Sequence, residues 1–281
     1  MLRKADVTRT KLLILDFDGT LCHGDDPVLA YAAEADAMLA ERGLGRQLRR
    51  SVRDITAEAF VSNQLLVPEI AYDDAGVPLA VLADRAAAQE TAAQDTAKPH
   101  PVSWPLQDGY QLVQLLAQQA GLSAAETGLA FRAARRRLIS QGLAHSDVHA
   151  PEGVHQLLQE LRESAVVVLI SNSPAEGFEP WLQVLGLEGA FDTVINGAGK
   201  PFGMPAAVEQ ACAGTAHPVA GRDILSVGDI WLNDLAYVDE LGGTTVLIDR
   251  FGTGLGAPTH RVSTFEAAAS AMRAWAQSSA E

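Results

Sequence analysis

The 281-residue chain has little with which to build disulfides, grip polyanions or enter a bilayer. It contains only two cysteines, Cys22 and Cys212, too few for a disulfide framework and in keeping with a reducing compartment. Basic residues are scarce: 21 Lys and Arg stand against 35 Asp and Glu, a formal net charge of −14. That balance argues against a nucleic-acid partner, which needs a basic footprint to displace counterions. No run approaches the ~18 apolar residues that cross a bilayer. Met1–Thr10 is polar and mixed in charge, and the apolar stretch after it is too short for the core of a signal peptide. Internal repeats and low-complexity tracts are missing as well. The expectation is a soluble, cytoplasmic protein without nucleic-acid or membrane partners. Hydrophobic residues make up 48% of the chain, enough to bury a core and exclude general disorder. An anionic substrate stays open to so acidic a chain, because a divalent cation and a few basic side chains reverse the field locally.

What is present is concentrated in Leu12-Leu13-Ile14-Leu15-Asp16-Phe17-Asp18-Gly19-Thr20. Four consecutive apolar residues read as a strand buried on both faces, the mark of a parallel sheet. Chemistry in open α/β sheets lies beyond the carboxyl ends of such strands, which is where Asp16 and Asp18 fall. Two adjacent carboxylates repel each other unless a cation or a shared proton offsets the cost. Alone, Asp-x-Asp-Gly reads equally as a tight turn. Later segments weigh against that reading: Ala165–Ile170 (AVVVLI) ends in Ser171-Asn172-Ser173, and Ile224–Val227 (ILSV) ends in Gly228-Asp229-Ile230-Trp231-Leu232-Asn233-Asp234, with Gly199-Lys200-Pro201 between them.

From about residue 149 strand and helix signals alternate. Val154, Leu157, Leu158 and Leu161 have the i, i+3, i+4, i+7 spacing of a helix lying on a sheet. Beyond AVVVLI, helix is expected over 179–185, strand over 193–195, helix over 205–213, then the ILSV strand, helix over 232–241, strand over 244–248 and a closing helix over 265–276. This rhythm implies an α/β fold, a Rossmann-like parallel sheet with helices on both faces. Residues 22–148 read instead as helices over 27–42, 48–61, 78–93, 109–121 and 124–141, the last opened by the capping box Ser123-x-x-Glu126. Loops are expected over 67–77 and over the proline-rich 98–105, which carries Trp104.

The order of these motifs, DFDGT at 16–20, ISNS at 170–173, GKP at 199–201 and GDIWLND at 228–234, resembles the haloacid dehalogenase superfamily. The resemblance covers roughly half the chain. It implies a discontinuous Rossmann-like core of residues 1–21 and 149–281, with 22–148 inserted as a mainly helical C1-type cap domain that folds over the core site. It also implies roles. Asp16 is the nucleophile that forms an aspartyl-phosphate. Asp18 protonates the leaving alcohol and then activates water. The metal is Mg2+, held by the Asp16 carboxylate, the Asp18 backbone carbonyl and Asp229, with Asp234 direct or through water. Ser171, the backbone N–H of Asn172 and Lys200 contact the phosphoryl oxygens. Hard oxygen donors suit magnesium, and one carboxyl acting as acid and then base suits phosphoryl transfer. Dehalogenase members lack the second aspartate, so Asp18 favours the phosphatase-like branch.

Several positions carry two readings. Ser171 is either a phosphoryl donor or a strand-end cap, and Lys200 either a phosphoryl ligand or a solvated loop residue. Thr20 is a turn residue or a phosphate-site donor. His23 is an exposed hinge residue or a contact to leaving-group oxygens. Arg132, Arg135 and Arg136 form a solvated helix face or recognise a second anion, while Trp231 is bulky enough to narrow a cleft. The function implied is a magnesium-dependent phosphomonoester hydrolase acting on a small phosphorylated metabolite. A phosphomutase of the same superfamily and a non-catalytic phospholigand-binding protein are the alternatives.

Overall fold

A computed structural model describes residues 9–44, 48–74, 76–79, 105–215 and 218–278. The chain divides into two compact units, Met1–Gly24 with Leu143–Glu281, and Asp25–Gly142. His23 and His149 exchange backbone hydrogen bonds of 2.9 and 3.1 Å, so the segments flanking the insert stay with the first unit. Gly24 lies so close to the Asp147 carbonyl that a Cβ there would stand 1.9 Å from it.

The first unit is a six-stranded sheet, an α/β Rossmann-like arrangement. Its strands are β1 (Lys11–Leu15), β2 (Ala165–Ile170), β3 (Thr193–Ile195), β4 (Ile224–Gly228), β5 (Thr244–Ile248) and β6 (His260–Val262), in the spatial order β3-β2-β1-β4-β5-β6. Every adjacent pair is parallel, with Leu15 level with Leu169 on one side and Val227 on the other. β1, β2 and β4 are buried along their whole lengths, as continuous apolar runs require when helices cover both faces. Strand residues alternate between the two faces. Leu12, Ile14, Val166, Val168 and Ile170 pack with Met204, Ala207, Val208 and Ala211 of the helix Met204–Ala213. The helix Val154–Leu161 buries Val154, Leu157, Leu158 and Leu161 and packs with β2 and with the final helix, Phe265–Gln277.

In the second unit, helix α1 (Asp26–Glu41) packs against α2 (Val52–Ser62), α3 (Gly109–Gln119) and α4 (Ala124–Gln141). The capping box of Ser123 and Glu126 is formed, and Asp108 with Gln111 makes a second at the start of α3. Arg135 is buried with its guanidinium over the Phe131 ring, 5.6 Å from the centroid, whereas Arg132 and Arg136 are exposed. The three arginines therefore do not form one anion-binding face. No helix among the described residues is long and apolar enough to cross a membrane.

Four expectations need correction. Helix α2 starts at Val52 rather than near residue 48, because Ser51 Oγ accepts from Asp54 N and the Asp36 carboxylate accepts from Val52 N and Arg53 N, satisfying the free donors of the first turn there. Pro78 and Leu79 are extended, bridged to Tyr72 and bonded to the Ala71 carbonyl. The rest of the helix expected over 78–93, and Trp104, lie outside the described residues. β6 was not foreseen, because His260-Arg261-Val262 is a short, exposed edge strand without an apolar run. The helix expected over 232–241 begins as a π-helical turn, Trp231–Leu235, before the α-helix Ala236–Glu240.

Lys11 opens β1 yet is buried. Its ammonium donates to the Trp275, Ala276 and Ser278 carbonyls and to Ser278 Oγ, so it serves the carbonyls at the end of the last helix. Lys11→Met keeps the apolar stem and removes the donors. It is expected to lower unfolding stability by ~1.5–3 kcal/mol and to speed amide exchange at Trp275–Gln277. Urea titration with hydrogen exchange measures both, and unchanged protection at the helix end would contradict the cap.

Candidate active site

The carboxyl ends of β1, β2 and β4 meet at one edge of the sheet. β1 continues its pairing one residue further through Asp16 N to the Val227 carbonyl, 3.0 Å. Phe17 turns into the core against Phe178, ring centroids 4.6 Å apart. The Phe17 carbonyl then takes the N–H groups of Leu21 and Cys22 at 2.9 and 2.8 Å, closing a turn directly after the aspartate pair. Gly19 sits in that turn at φ +82°, and a Cβ there would lie 2.1 Å from Asp229 Oδ2. Only glycine lets this backbone adopt the left-handed conformation while a carboxylate packs on it. Thr20 is fully buried in the same turn.

Lys200 is the hub. Its buried ammonium donates to Asp16 Oδ1 and Asp234 Oδ1, both at 2.6 Å, and to the Ile170 carbonyl at 3.0 Å. It is therefore not a solvated loop residue. Asn172 fixes the Lys200 backbone from two sides: its Oδ1 accepts from Lys200 N at 2.7 Å and its Nδ2 donates to the Lys200 carbonyl at 3.1 Å. Asp234 is held equally firmly. Its Oδ2 accepts from Ile230 N at 2.9 Å, its carbonyl accepts from Ser226 Oγ at 2.7 Å, and a Cβ on Gly228 would come within 2.3 Å of its own Cβ. The π-helical turn carries Asp234 back under Lys200, a use of the wide turn typical of functional sites.

Asp16, Asp229 and Asp234, all buried, each place a carboxylate oxygen within 4.8 Å of the others. Three buried carboxylates with one ammonium among them carry an excess of negative charge when all are ionised. Burial pushes the Asp16 carboxyl up to about 7; Lys200 opposes this, while Asp234 and Asp18 add to it. Burial alone would lower the pKa of Lys200, but Asp16 and Asp234 raise it above the ordinary lysine range. The donor set of hard, buried carboxylate oxygens fits a small divalent cation, which would offset the excess charge.

The remaining candidates lie around this core. Ser171 is buried, and its Oγ accepts from Ser173 N at 3.0 Å, so the hydroxyl caps the strand end while keeping its own proton to donate. The Asp18 carboxylate, half-buried, lies outside the three-aspartate cluster and accepts from Ser173 Oγ at 2.7 Å. His23 also stands apart, its ring bonded to the Thr20 backbone and its pKa held below the ordinary range by burial, with Glu266 opposing. Trp231 packs flat on Gly256, where a Cβ would lie 2.4 Å from the indole. The loop bearing Gly256 is tied by Asp249, which accepts from Thr253 N, Gly254 N and Arg261, while Arg261 also donates to the carbonyls of Gly254, Leu255 and Gly256. Sequence reasoning missed Ser173, Ser226, Asp249 and Arg261. Only Ser173 carried a usable signal, a second hydroxyl two residues from Ser171 at a strand end.

A Rossmann-like parallel sheet carries an aspartate pair, a serine, a lysine and a second aspartate pair along its carboxyl edge, which marks an α/β-class protein with an acidic site at that edge. More particularly, the chain belongs to the haloacid dehalogenase-like hydrolases, whose family model matches residues 10–236. Among solved structures it is similar to a haloacid dehalogenase-like hydrolase from Xanthomonas campestris, at 14% identity, 96% of this chain and 94% of that one, and a TM-score of 0.50. It is likewise similar to YfnB of Bacillus subtilis, a candidate HAD hydrolase solved bound to magnesium, at 14% identity, 94% and 99% coverage and a TM-score of 0.50. These likenesses concern the fold. No curated protein matches the chain.

The raised Asp16 carboxyl has a measurable consequence. Its folded value of about 7 lies above its ordinary 3.8, so between those values the folded state binds more protons than the unfolded chain. The stability Asp16 contributes is fully present below its ordinary value and is lost as the pH rises through about 7. As the pH rises between about 4 and about 7, the stability difference between metal-free wild type and Asp16→Asn should shift in favour of the variant, by at most ~1.4 kcal/mol per pH unit. Urea titrations of both proteins give the difference directly; a value independent of pH would contradict the shifted carboxyl.

Proposed function

We propose that the protein is a magnesium-dependent phosphomonoester hydrolase acting on a small phosphorylated metabolite. The observation that carries this reading is the Asp18 carboxylate, hydrogen-bonded to Ser173 two residues beyond an Asp16 that is paired with Lys200. A departing halide takes no proton, whereas an alcohol leaving phosphorus needs one, and a positioned carboxyl is what supplies it.

In this reading Asp16 attacks phosphorus, a bond forms from its carboxylate oxygen, and the bond from phosphorus to the leaving oxygen breaks as Asp18 delivers its proton there. Water then attacks the aspartyl-phosphate while Asp18, now a carboxylate, takes a proton from it, and Asp16 is restored. Lys200 stays protonated throughout, orienting Asp16 and facing the transferring oxygens. Ser171 Oγ and the Asn172 N–H donate to those oxygens, while the Asn172 side chain keeps Lys200 in place. Asp16, Asp229 and the Asp18 carbonyl would hold the magnesium ion. Asp234, with both oxygens already committed to Lys200 and Ile230 N, would reach it through water. When bound, the ion neutralises charge on the phosphoryl oxygens.

Hydrolysis of para-nitrophenyl phosphate is expected to require added Mg2+, to stop in excess chelator and to be lost in Asp16→Asn. Undiminished turnover by a metal-free preparation would sink the metal assignment, and an active variant would remove Asp16 as the nucleophile.

Asp18→Asn separates the acid from the nucleophile. Its first chemical step, followed in a single turnover, should fall by ~10²–10⁴-fold on an alkyl phosphate and much less on para-nitrophenyl phosphate, whose leaving group needs no proton. Equal losses on the two substrates, with Mg2+ still bound, would show that Asp18 is not the general acid.

A further inference from the structure

Ser173 takes no part in the chemistry just described, yet it is among the most firmly held residues beside it. It is 1% exposed. Its N–H donates to Ser171 Oγ at 3.0 Å, and its carbonyl accepts from Gly197 N at 2.9 Å and from Asn196 Nδ2 at 3.3 Å. With three backbone contacts fixed, its hydroxyl donates to Asp18 Oδ2 at 2.7 Å. Asp18 is half-buried, on a turn, and outside the cluster that Lys200 ties together.

We propose that Ser173 is the positioning residue of the acid–base carboxylate, its hydroxyl holding Asp18 Oδ2 so that the transferable proton is carried on Oδ1. The inference rests on the phosphatase reading above. A protonated carboxyl has one carbonyl oxygen that only accepts and one hydroxyl that donates. A fixed donor on Oδ2 makes that atom the carbonyl in the protonated form and sets the plane of the group. In the first step the Oδ1–H bond breaks and the proton passes to the leaving oxygen; in the second, Oδ1 takes a proton from the attacking water. Ser173 transfers nothing in either step. Its hydrogen bond can be made to the carboxyl and to the carboxylate, and is the stronger to the carboxylate, so it orients the group in both steps. The arrangement also links β2 to the turn after β1, because Ser171, which faces the phosphoryl oxygens, is the group that fixes the Ser173 backbone.

Misplacing a reacting group by an ångström costs on the order of a hundredfold, so Ser173→Ala is expected to slow single-turnover phosphorylation from glycerol phosphate by about tenfold to a hundredfold. The effect on para-nitrophenyl phosphate should stay within about threefold, and the Mg2+ affinity measured by calorimetry should be unchanged. In an Asp18→Asn background the same substitution should add no further substrate-selective loss, since residues acting through one another are not additive. Should Ser173→Ala fail to fold, Ser173→Cys, of similar shape but a weak donor, carries the same expectation. Equal losses on both phosphates, or an additive loss in the double variant, would overturn the role of Ser173 while leaving the phosphatase reading intact. A wild-type protein that releases phosphate from neither compound with Mg2+ present would overturn that reading, and the role of Ser173 with it.

Discussion

One ammonium group organises this site. Lys200 reaches two carboxylates and a main-chain carbonyl from a loop between β3 and the helix that follows, so three separate stretches of chain converge on a single charge. Burying a lysine is costly unless it is paired and hydrogen-bonded, and here Asp16, Asp234 and the Ile170 carbonyl meet all three of its protons. Because each partner depends on the others, removing one would leave a charge uncompensated in a dry environment.

The surrounding backbone is shaped to permit this crowding. At Gly19 and Gly228 a single methyl group would occupy the space of Asp229 and Asp234 respectively. Close packing of carboxylates on main chain replaces solvent with fixed dipoles and fixed charges, the form of preorganisation that stabilises charge as it develops in a reaction. A second tier keeps the aspartates of the fourth motif in register. Ser226 anchors the Asp234 carbonyl, and the Asp249–Arg261 pair shapes the loop whose Gly256 accepts the face of Trp231. Trp231 thus acts as a packed wall and not only as a bulky residue near a cleft.

The two aspartates of the first motif receive opposite environments although only Phe17 separates them. Asp16 is drawn into the buried charge cluster, whereas Asp18 meets a hydroxyl. In the proposed reaction, these unlike surroundings are what would let one short segment provide a nucleophile and an acid together.

Much of this was legible in the residues themselves. Continuous apolar runs identified the buried strands of a parallel sheet, since a strand covered on both faces has no polar side; β2, β3 and β5 follow the expected bounds, and β1 starts one residue earlier, at Lys11. The polar groups that end those runs mark the edge where Asp16 and Asp229 stand, while Lys200 and Asp234 are singled out only by the order of the motifs. The edge strand β6 and the π-helical turn were not legible, because neither has a hydrophobic period of its own: one is held by pairing with β5 and the other by the demands of Asp234. Which groups the Asn172 amide and the Ser173 hydroxyl meet was equally beyond the sequence. A hydroxyl or an amide has the same local preferences wherever it stands, and only the approach of Lys200 from about thirty residues away along the chain, and of Asp18 from far earlier in the chain, decides which atom each one meets.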